Sequence, residues 1–326
     1  MGDEKEKGTY RYELITPEQK DKLLKDLMDR YLFDRKASIH GICIELLTDN
    51  KEFKEMWEDN FFYMSDDIRP HGRIVAVRDE KNPEVRVLYE PASKTCFIIN
   101  ADYYGWVKSF ALGVTADFLE EYVSIHSRFS VHGSCIDFSG RGIALIATSG
   151  VGKTTHSFGL LLLDKAKLIT DDWFFVKLTK DDVIAYASER QSYITDDIGK
   201  FWKIFEPLVK NTKLDTKGRG IANIENALGT FKKRSLTVVQ KVLLMKSDPS
   251  DKTILKKITI DEAISYLTKN NFCNPYQMVK DKRKLKLRTD FFRQMFKSTE
   301  VYLFNNNKEL PIEETHGALR ELVKDL

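Results

Sequence analysis

Residues 147–155 are Ala147-Thr148-Ser149-Gly150-Val151-Gly152-Lys153-Thr154-Thr155, a glycine-rich stretch between two apolar runs. The run before it, 142–146, has the composition of a short buried strand, and the run after it, 156–163, can continue as an apolar helix. A glycine-rich loop between a strand and a helix is the context that a phosphate-binding loop of the Walker A type requires. The stretch therefore predicts an α/β fold and a nucleotide site.

The residue types of this loop suit phosphate binding. Gly150 and Gly152 lack a Cβ, so the backbone can curl and direct successive N–H groups at phosphate oxygens, and the start of the helix adds partial positive charge. We expect Lys153 to reach the terminal phosphates and Thr154 to hold Mg²⁺. Ala147 stands where the motif usually has its first glycine, which is harmless if its φ is negative. The predicted nucleotide-binding residues are Ser149, Gly150, Val151, Gly152, Lys153, Thr154 and Thr155.

Two adjacent acids follow the loop in the next long apolar run. Asp171 and Asp172 lie in the apolar run 168–176, where a helix and a returning strand would bring them back beside the loop. Uncompensated charge in a buried strand costs several kcal/mol, so such a pair indicates a partner. One acid can join the coordination of Mg²⁺, and the other can accept a proton from an attacking hydroxyl. The alternative is a pair at a strand end that faces water.

Composition sets the broad class. The 326 residues are enough for two domains, and 42% apolar with 31% charged residues is typical of a soluble globular chain. A net charge of +3 argues against general polyanion binding, and the basic stretch 280–288 lacks the interleaved aromatics of a nucleic-acid site. No apolar run is long enough for a membrane span. The charged N-terminus lacks the core of a secretion signal, and four widely spaced cysteines predict free thiols, so we expect a cytoplasmic protein.

The pattern along the chain predicts two domains. Residues 1–105, frayed up to about residue 12, form a small N-terminal α/β domain of unknown role, and residues 106–326 form the domain of the phosphate loop, including a bridging helix over 104–128. Within them, alternation and capping signals predict helices and strands. Helices are expected over 17–32, 51–62, 191–211, 261–269 and 287–297, and strands over 39–47, 73–78, 84–89, 95–100, 131–138, 143–147, 168–176, 183–187, 238–245 and 301–304.

Further motifs flank the loop in a fixed order. Val131-His132-Gly133-Ser134 precedes it, the acidic pair follows, and Leu214-Asp215-Thr216-Lys217-Gly218-Arg219-Gly220-Ile221-Ala222-Asn223-Ile224 comes last. Together they resemble the HPr kinase/phosphorylase family, bacterial protein-serine kinases that share their fold with phosphoenolpyruvate carboxykinase. The last segment is similar to the family's second signature, Leu-Glu-Ile-Arg-Gly-Leu-Gly-Ile-Ile-Asn-Val. The likeness covers residues 125–300.

The resemblance implies roles for particular residues. It implies a C-terminal kinase domain of this fold, with Asp171 as general base and Asp172 linked to the metal. Asp215 stands in place of the family's metal-proximal glutamate, Lys217 in place of its signature arginine, and Thr155 in place of a common glutamate. The predicted catalytic residues are Asp171, Lys153 and His132; the predicted metal ligands are Thr154, Asp172 and Asp215; and Lys217, Arg219 and Arg234 are candidates for contact with substrate or phosphate.

The sequence thus predicts a kinase that uses ATP and Mg²⁺ to phosphorylate a hydroxyl, expected to be that of serine. The N-terminal domain shows no clear likeness to that of the HPr enzymes, which slightly favours a free metabolite over a protein serine. The alternatives are a protein serine kinase/phosphorylase and a nucleotide sensor without catalysis. Without the resemblance, a hydrogen-bonded core histidine is the favoured interpretation of His132. The likeness also implies a homo-oligomer.

Overall fold

The computed structural model describes residues 12–326, a mixed α/β chain that divides into two compact units. The first unit comprises the chain up to residue 58 together with 63–118 and 274–280, and the second comprises 59–62, 119–273 and 281–326. The boundary predicted after residue 105 falls beside the start of a long helix, and the two units divide that helix at Phe118. Residues 1–11, where fraying and the absence of a secretion signal are predicted, lie outside the described part.

The first part of the chain builds a seven-stranded mixed sheet in the order β1-β6-β7-β5-β3-β2-β4. Its strands are β1 (Glu13–Leu14), β2 (Phe33–Ile39), β3 (Ile42–Thr48), β4 (Phe62–Tyr63), β5 (Gly72–Val77), β6 (Arg86–Glu90) and β7 (Thr95–Ile99), and its helices are α1 (Pro17–Asp26), α2 (Lys51–Asn60) and α3 (Tyr104–Glu121). Thr16 caps α1 through a reciprocal pair of hydrogen bonds with Gln19, which confirms the predicted start of this helix.

The second part contains a larger mixed sheet and most of the helices. Its elements are α4 (Val123–His126), β8 (Phe129–Phe138), β9 (Arg141–Ile146), α5 (Lys153–Leu160), β10 (Ala166–Thr170), β11 (Trp173–Leu178), β12 (Val183–Ala187), β13 (Ser192–Thr195), α6 (Ile198–Phe201), α7 (Glu206–Lys210), β14 (Arg219–Ala222), α8 (Glu225–Leu228), β15 (Leu236–Lys246), β16 (Leu255–Lys257), α9 (Ile260–Lys269), α10 (Lys282–Lys297), β17 (Glu300–Asn305) and α11 (Ile312–Leu322). The sheet order is β10-β8-β11-β12-β15-β17-β16, β9 pairs with both β8 and β15, and β13 pairs with β14 separately.

Helices cover both faces of this larger sheet. Alternate residues of β8, β9 and β15 point to opposite faces, as the two-residue repeat of a strand requires. One core cluster joins one set of these residues to α9 and α10, and the other joins the second set to α5 and α11. The first set includes Cys135, Ala144, Ile146, Val242 and Leu244, and the second includes Ile136, Ile143, Leu145, Leu243 and Met245.

Two sequence expectations are wrong in this part. The single strand expected over 168–176 is interrupted at Asp171 and Asp172, so that β10 and β11 are separate. The helix expected over 191–211 is replaced by β13 and two short helices, because Ser192 to Thr195 pair with β14 far along the chain. Such long-range pairing overrides local helix propensity.

The basic stretch 280–288 is largely neutralised inside the second unit. Lys284 and Arg288 of α10 are buried, and the guanidinium of Arg288 donates two 2.8 Å hydrogen bonds to the carboxylate of Glu120. Arg283 pairs with Glu121 at 2.6 Å. These charges therefore hold α10 against the end of α3.

Two glycines offer a matched test of the packing around α5. A Cβ on Gly159 would lie 2.5 Å from ring atoms of both His316 and Trp202, whereas a Cβ on Gly317, in α11, would meet nothing within 4 Å. We predict that Gly159→Ala lowers the free energy of unfolding by about 1–3 kcal/mol through overpacking. Gly317→Ala should raise it by about 0.5–1 kcal/mol. Urea unfolding measures both, and equal effects would contradict this description of the packing.

Candidate functional site

Strand β8 organises the candidate site because it pairs on both sides. On one side Gly133 lies opposite Ile146, the last residue of β9, and on the other His132 lies opposite Trp173, the first residue of β11. The Gly133 N–H donates to the carbonyl of Asp172 at 2.7 Å. Neighbouring strands are about 4.8 Å apart, so the acidic pair and the end of β9, which lie on opposite sides of β8, are separated by about two strand spacings, or 10 Å.

The glycine loop, residues 147–155, leaves the end of β9 and enters α5. Gly150 and Gly152 have φ of 80° and 106°, values that favour glycine. Ala147 is fully buried and is not among the residues with positive φ. The alanine therefore fits the loop without strain, which meets the condition set by the sequence.

The backbone amides of the glycine loop are available to a ligand. Within residues 12–326, the N–H groups of six consecutive residues donate no hydrogen bond. Several such N–H groups at the start of a helix form an anion-binding site. The six residues are Ser149, Gly150, Val151, Gly152, Lys153 and Thr154.

Lys153 lies folded against its own loop. Its ammonium donates to the carbonyls of Ala147 at 2.8 Å and Thr148 at 3.4 Å, and its side chain is buried. Burial lowers the pKa of Lys153, the charge of Asp172 opposes this, and the charge of Arg219 adds to it. The charges of Asp172 and Arg219 therefore both act on the Lys153 ammonium.

His132 links the acidic pair to a distant carbonyl. Its Nδ1 lies 2.6 Å from the carbonyl oxygen of Cys273, and because a carbonyl only accepts, Nδ1 carries the proton. Its Nε2 lies 3.2 Å from Oδ1 of Asp172. Burial first, and then the charge of Lys153, lower the pKa of His132, although Asp172 opposes them. A neutral imidazole in this tautomer presents a lone pair to a carboxylate, an arrangement that can take up one proton.

The carbonyl that fixes His132 belongs to a strained turn. Asn271, Phe272 and Cys273 have φ of 49°, 53° and 55°, three successive non-glycine residues in the left-handed region. Each such residue costs about 1–2 kcal/mol, and strain of this kind concentrates at functional sites. Burial raises the pKa of the Cys273 thiol to about 12, so this thiol is uncharged.

The two acids interact with different cations. Asp171 is buried, its carbonyl accepts a 2.6 Å hydrogen bond from the Ser134 hydroxyl, and its charge raises the pKa of Lys233 against the larger lowering effect of burial. Asp172 is partly exposed and acts on Lys153 instead. The charges of Asp171 and Asp172 therefore act on different lysines.

Asp215 shapes the connection that precedes β14. Its carboxylate accepts hydrogen bonds from the Tyr193 hydroxyl at 2.5 Å and from the backbone N–H groups of Lys217 at 2.8 Å and Arg219 at 3.1 Å. The Lys217 side chain is exposed. These contacts give Asp215 a structural part, and its role as a metal ligand stays a prediction.

Arg234 is not brought to the glycine loop. Its guanidinium lies 3.1 Å from the carboxylate of Asp137, which also accepts from the N–H of Gly140 in the turn between β8 and β9. That turn lies at the opposite end of the β8–β9 pair from the glycine loop, since Phe138 pairs with Arg141 there.

The structure adds two residues that the sequence did not suggest. The Cys273 carbonyl fixes His132, and the Asn306 amide binds the Val151 carbonyl of the glycine loop at 2.7 Å. Neither residue belongs to a motif. Every residue has a backbone carbonyl, so the contact made by the Cys273 carbonyl cannot be predicted from the residue type.

The described residues lack two further features. Within residues 12–326, no group of three or more His, Cys, Asp and Glu side chains is arranged to hold a metal ion. None of the helices in this range is both long enough and apolar enough to cross a bilayer. All four cysteines are buried and free, as the sequence predicts.

Comparison with known proteins finds a distant likeness. A scan against protein-family models and a search of curated proteins gave no match. Among solved structures, the chain is similar to the Hpr(Ser) kinase/phosphatase from Coxiella burnetii, with 11% identity and a TM-score of 0.34 over 60% of this chain and 88% of that one. At these values the relationship is a distant structural one.

Two histidines behind the glycine loop make stability depend on pH. Burial, and next the charge of His156, lower the pKa of His316 from 6.5 to about 4. Because the unfolded chain then binds more protons, stability should fall as pH drops from about 6.5 to about 4, by at most about 3 kcal/mol from this residue. We predict that His316→Gln removes this part of the pH dependence of urea unfolding. A variant curve parallel to that of the wild type would contradict it.

Proposed function

We propose that this chain is a phosphotransferase that uses ATP and Mg²⁺ to phosphorylate the hydroxyl of a serine-like small molecule. The observation that carries the proposal is the pairing of β8, which has the glycine loop at the end of one neighbouring strand and the acidic pair on the other side. Their separation across β8, about two strand spacings or 10 Å, is within the reach of a bound triphosphate.

The glycine loop would bind the phosphates. Its free N–H groups and the positive end of α5 attract oxyanions. Lys153 can exchange the carbonyls of Ala147 and Thr148 for phosphate oxygens, and there it would neutralise charge on the transferred group. Gly150 and Gly152 allow the backbone to approach the phosphates closely.

Thr154 and Asp172 would hold Mg²⁺, with Asp215 as a further predicted ligand. The residues fit this ion, because hydroxyl and carboxylate oxygens are its usual protein ligands. When bound, the ion neutralises the β- and γ-phosphate oxygens. The effect of the Asp172 charge on Lys153 supports a metal ligand near the phosphates.

Asp171 would take the proton of the acceptor. The acceptor oxygen forms a bond to the γ-phosphorus, the bond from that phosphorus to the β,γ-bridging oxygen breaks, and the hydroxyl proton passes to the Asp171 carboxylate. His132, whose Nε2 lies 3.2 Å from Oδ1 of Asp172, would orient that carboxylate when a proton is shared between the two atoms. Serine is proposed as the acceptor because of the sequence resemblance. A small molecule is preferred to a protein because the N-terminal domain shows no clear likeness to that of the HPr enzymes.

Substitution separates phosphate binding from chemistry. We predict that Lys153→Met lowers kcat by about 10²–10³-fold through lost charge stabilisation. Asp171→Asn should lower kcat by about 10²–10⁴-fold with little change in ATP affinity. The assay follows transfer from labelled ATP to free serine and, separately, to a protein pool, with ATP affinity measured by calorimetry.

The exposed Asp164, just before β10, supplies the control, since Asp164→Asn makes the same chemical change outside the site. Unchanged transfer by Lys153→Met would refute the assignment. ATP binding without transfer to either pool would instead favour a nucleotide sensor, and labelling of the protein pool alone would favour a protein kinase.

A further inference from the structure

We propose that Asn306 is a positioning residue that turns the N–H of Gly152 toward the phosphates. The inference rests on the proposed nucleotide binding, and Asn306 lies outside every motif of the sequence. It acts through the backbone of the glycine loop, from the side opposite the proposed phosphate site.

One hydrogen bond sets the direction of a peptide unit. The Nδ2 of Asn306 donates to the Val151 carbonyl at 2.7 Å. The Val151 carbonyl and the Gly152 N–H belong to the same planar trans peptide, so they point in opposite directions. Holding the carbonyl back toward Asn306 therefore directs the N–H away from it, into the curl of the glycine loop.

Because Gly152 has no Cβ, the Asn306 amide can lie close to its backbone. A Cβ at Gly152 would lie 2.5 Å from the Asn306 Nδ2, and the φ of 106° already disfavours any side chain. Glycine is therefore needed here for two independent reasons, the close approach of the Asn306 amide and the positive φ. Asn306 and Gly152 form one fitted contact.

Asn306 is itself held firmly. It follows β17, which runs parallel to β15, as β15 does to β9, so the carboxyl ends of these three strands lie at one edge of the sheet. The Asn306 N–H donates to the Lys246 carbonyl at the end of β15, at 2.8 Å. The preceding Asn305 donates from its side chain to the carbonyls of Asp248 and Asp251, both at 2.8 Å.

The amide orientation of Asn306 is also fixed. Since a carbonyl only accepts, Nδ2 must face Val151, and Oδ1 therefore faces the Nε2 of His156 at 3.0 Å and accepts a hydrogen bond from its N–H. In a neutral imidazole the His156 Nδ1 then has no proton, and it lies 3.4 Å from the Nδ1 of His316.

Two other side chains also contact carbonyls of the glycine loop. The Lys308 ammonium lies 3.4 Å from the Gly150 carbonyl, and the Trp202 indole N–H donates to the Thr155 carbonyl at 2.8 Å. Three carbonyls of the glycine loop thus receive a side-chain donor from elsewhere in the chain. Asn306 is the contact nearest the middle of the loop.

The test measures nucleotide affinity for two variants. Asn306→Asp keeps the shape and the contact with His156 but replaces the donor to Val151, and Asn306→Ala removes the donor without adding charge. We expect both to raise the dissociation constant for ADP and the KM for ATP about tenfold or more, while kcat at saturating ATP changes less than about threefold. Asn226→Asp, on the exposed surface of α8, is the control for added charge.

The outcomes separate the inference from the proposed function. Wild-type protein that binds neither ATP nor ADP would overturn both. If the wild type binds nucleotide and Asn306→Ala binds it equally well, the positioning role is refuted and the proposed function stands. If only Asn306→Asp loses affinity, repulsion by the new charge explains the loss, and the positioning role is again refuted.

Discussion

The pairing of β8 on both sides is the constraint on which the site depends. The N–H of Gly133 and the hydroxyl of Ser134 hold the carbonyls of Asp172 and Asp171, while the other side of β8 receives the end of β9. Because successive strand residues face opposite ways, a slip of one residue would move His132 to the other face of the sheet. The core clusters on both faces prevent such a slip, so packing fixes the geometry of the site.

The burial of titratable side chains is the second feature of this site. Lys153 and His132 both have pKa values lowered mainly by burial, and Asp172 opposes that effect on each. A desolvated lysine beside unsatisfied amides attracts an anion strongly, because electrostatic interactions strengthen where water is excluded. The strained turn at Asn271, Phe272 and Cys273 fits this view, since it holds the carbonyl that selects the tautomer of His132.

The sequence predicted the local parts of this arrangement and missed the distant ones. The loop glycines could be predicted because positive φ selects glycine, and the acids because buried charge needs a partner. The hairpin turn at His40 and Gly41 carried no asparagine-glycine signal. Cys273 and Asn306 reach the site from more than a hundred residues away, so only tertiary packing, which local periodicity does not encode, brings them there.

A crystal structure with a non-hydrolysable ATP analogue and Mg²⁺ tests the central claim most directly. The account predicts the β- and γ-phosphates on the N–H groups of residues 149–154, the Lys153 ammonium on phosphate oxygens instead of the Ala147 carbonyl, and the Asp172 carboxylate beside the metal. An analogue bound away from the glycine loop, or a lysine still donating to Ala147 with the nucleotide in place, would contradict it.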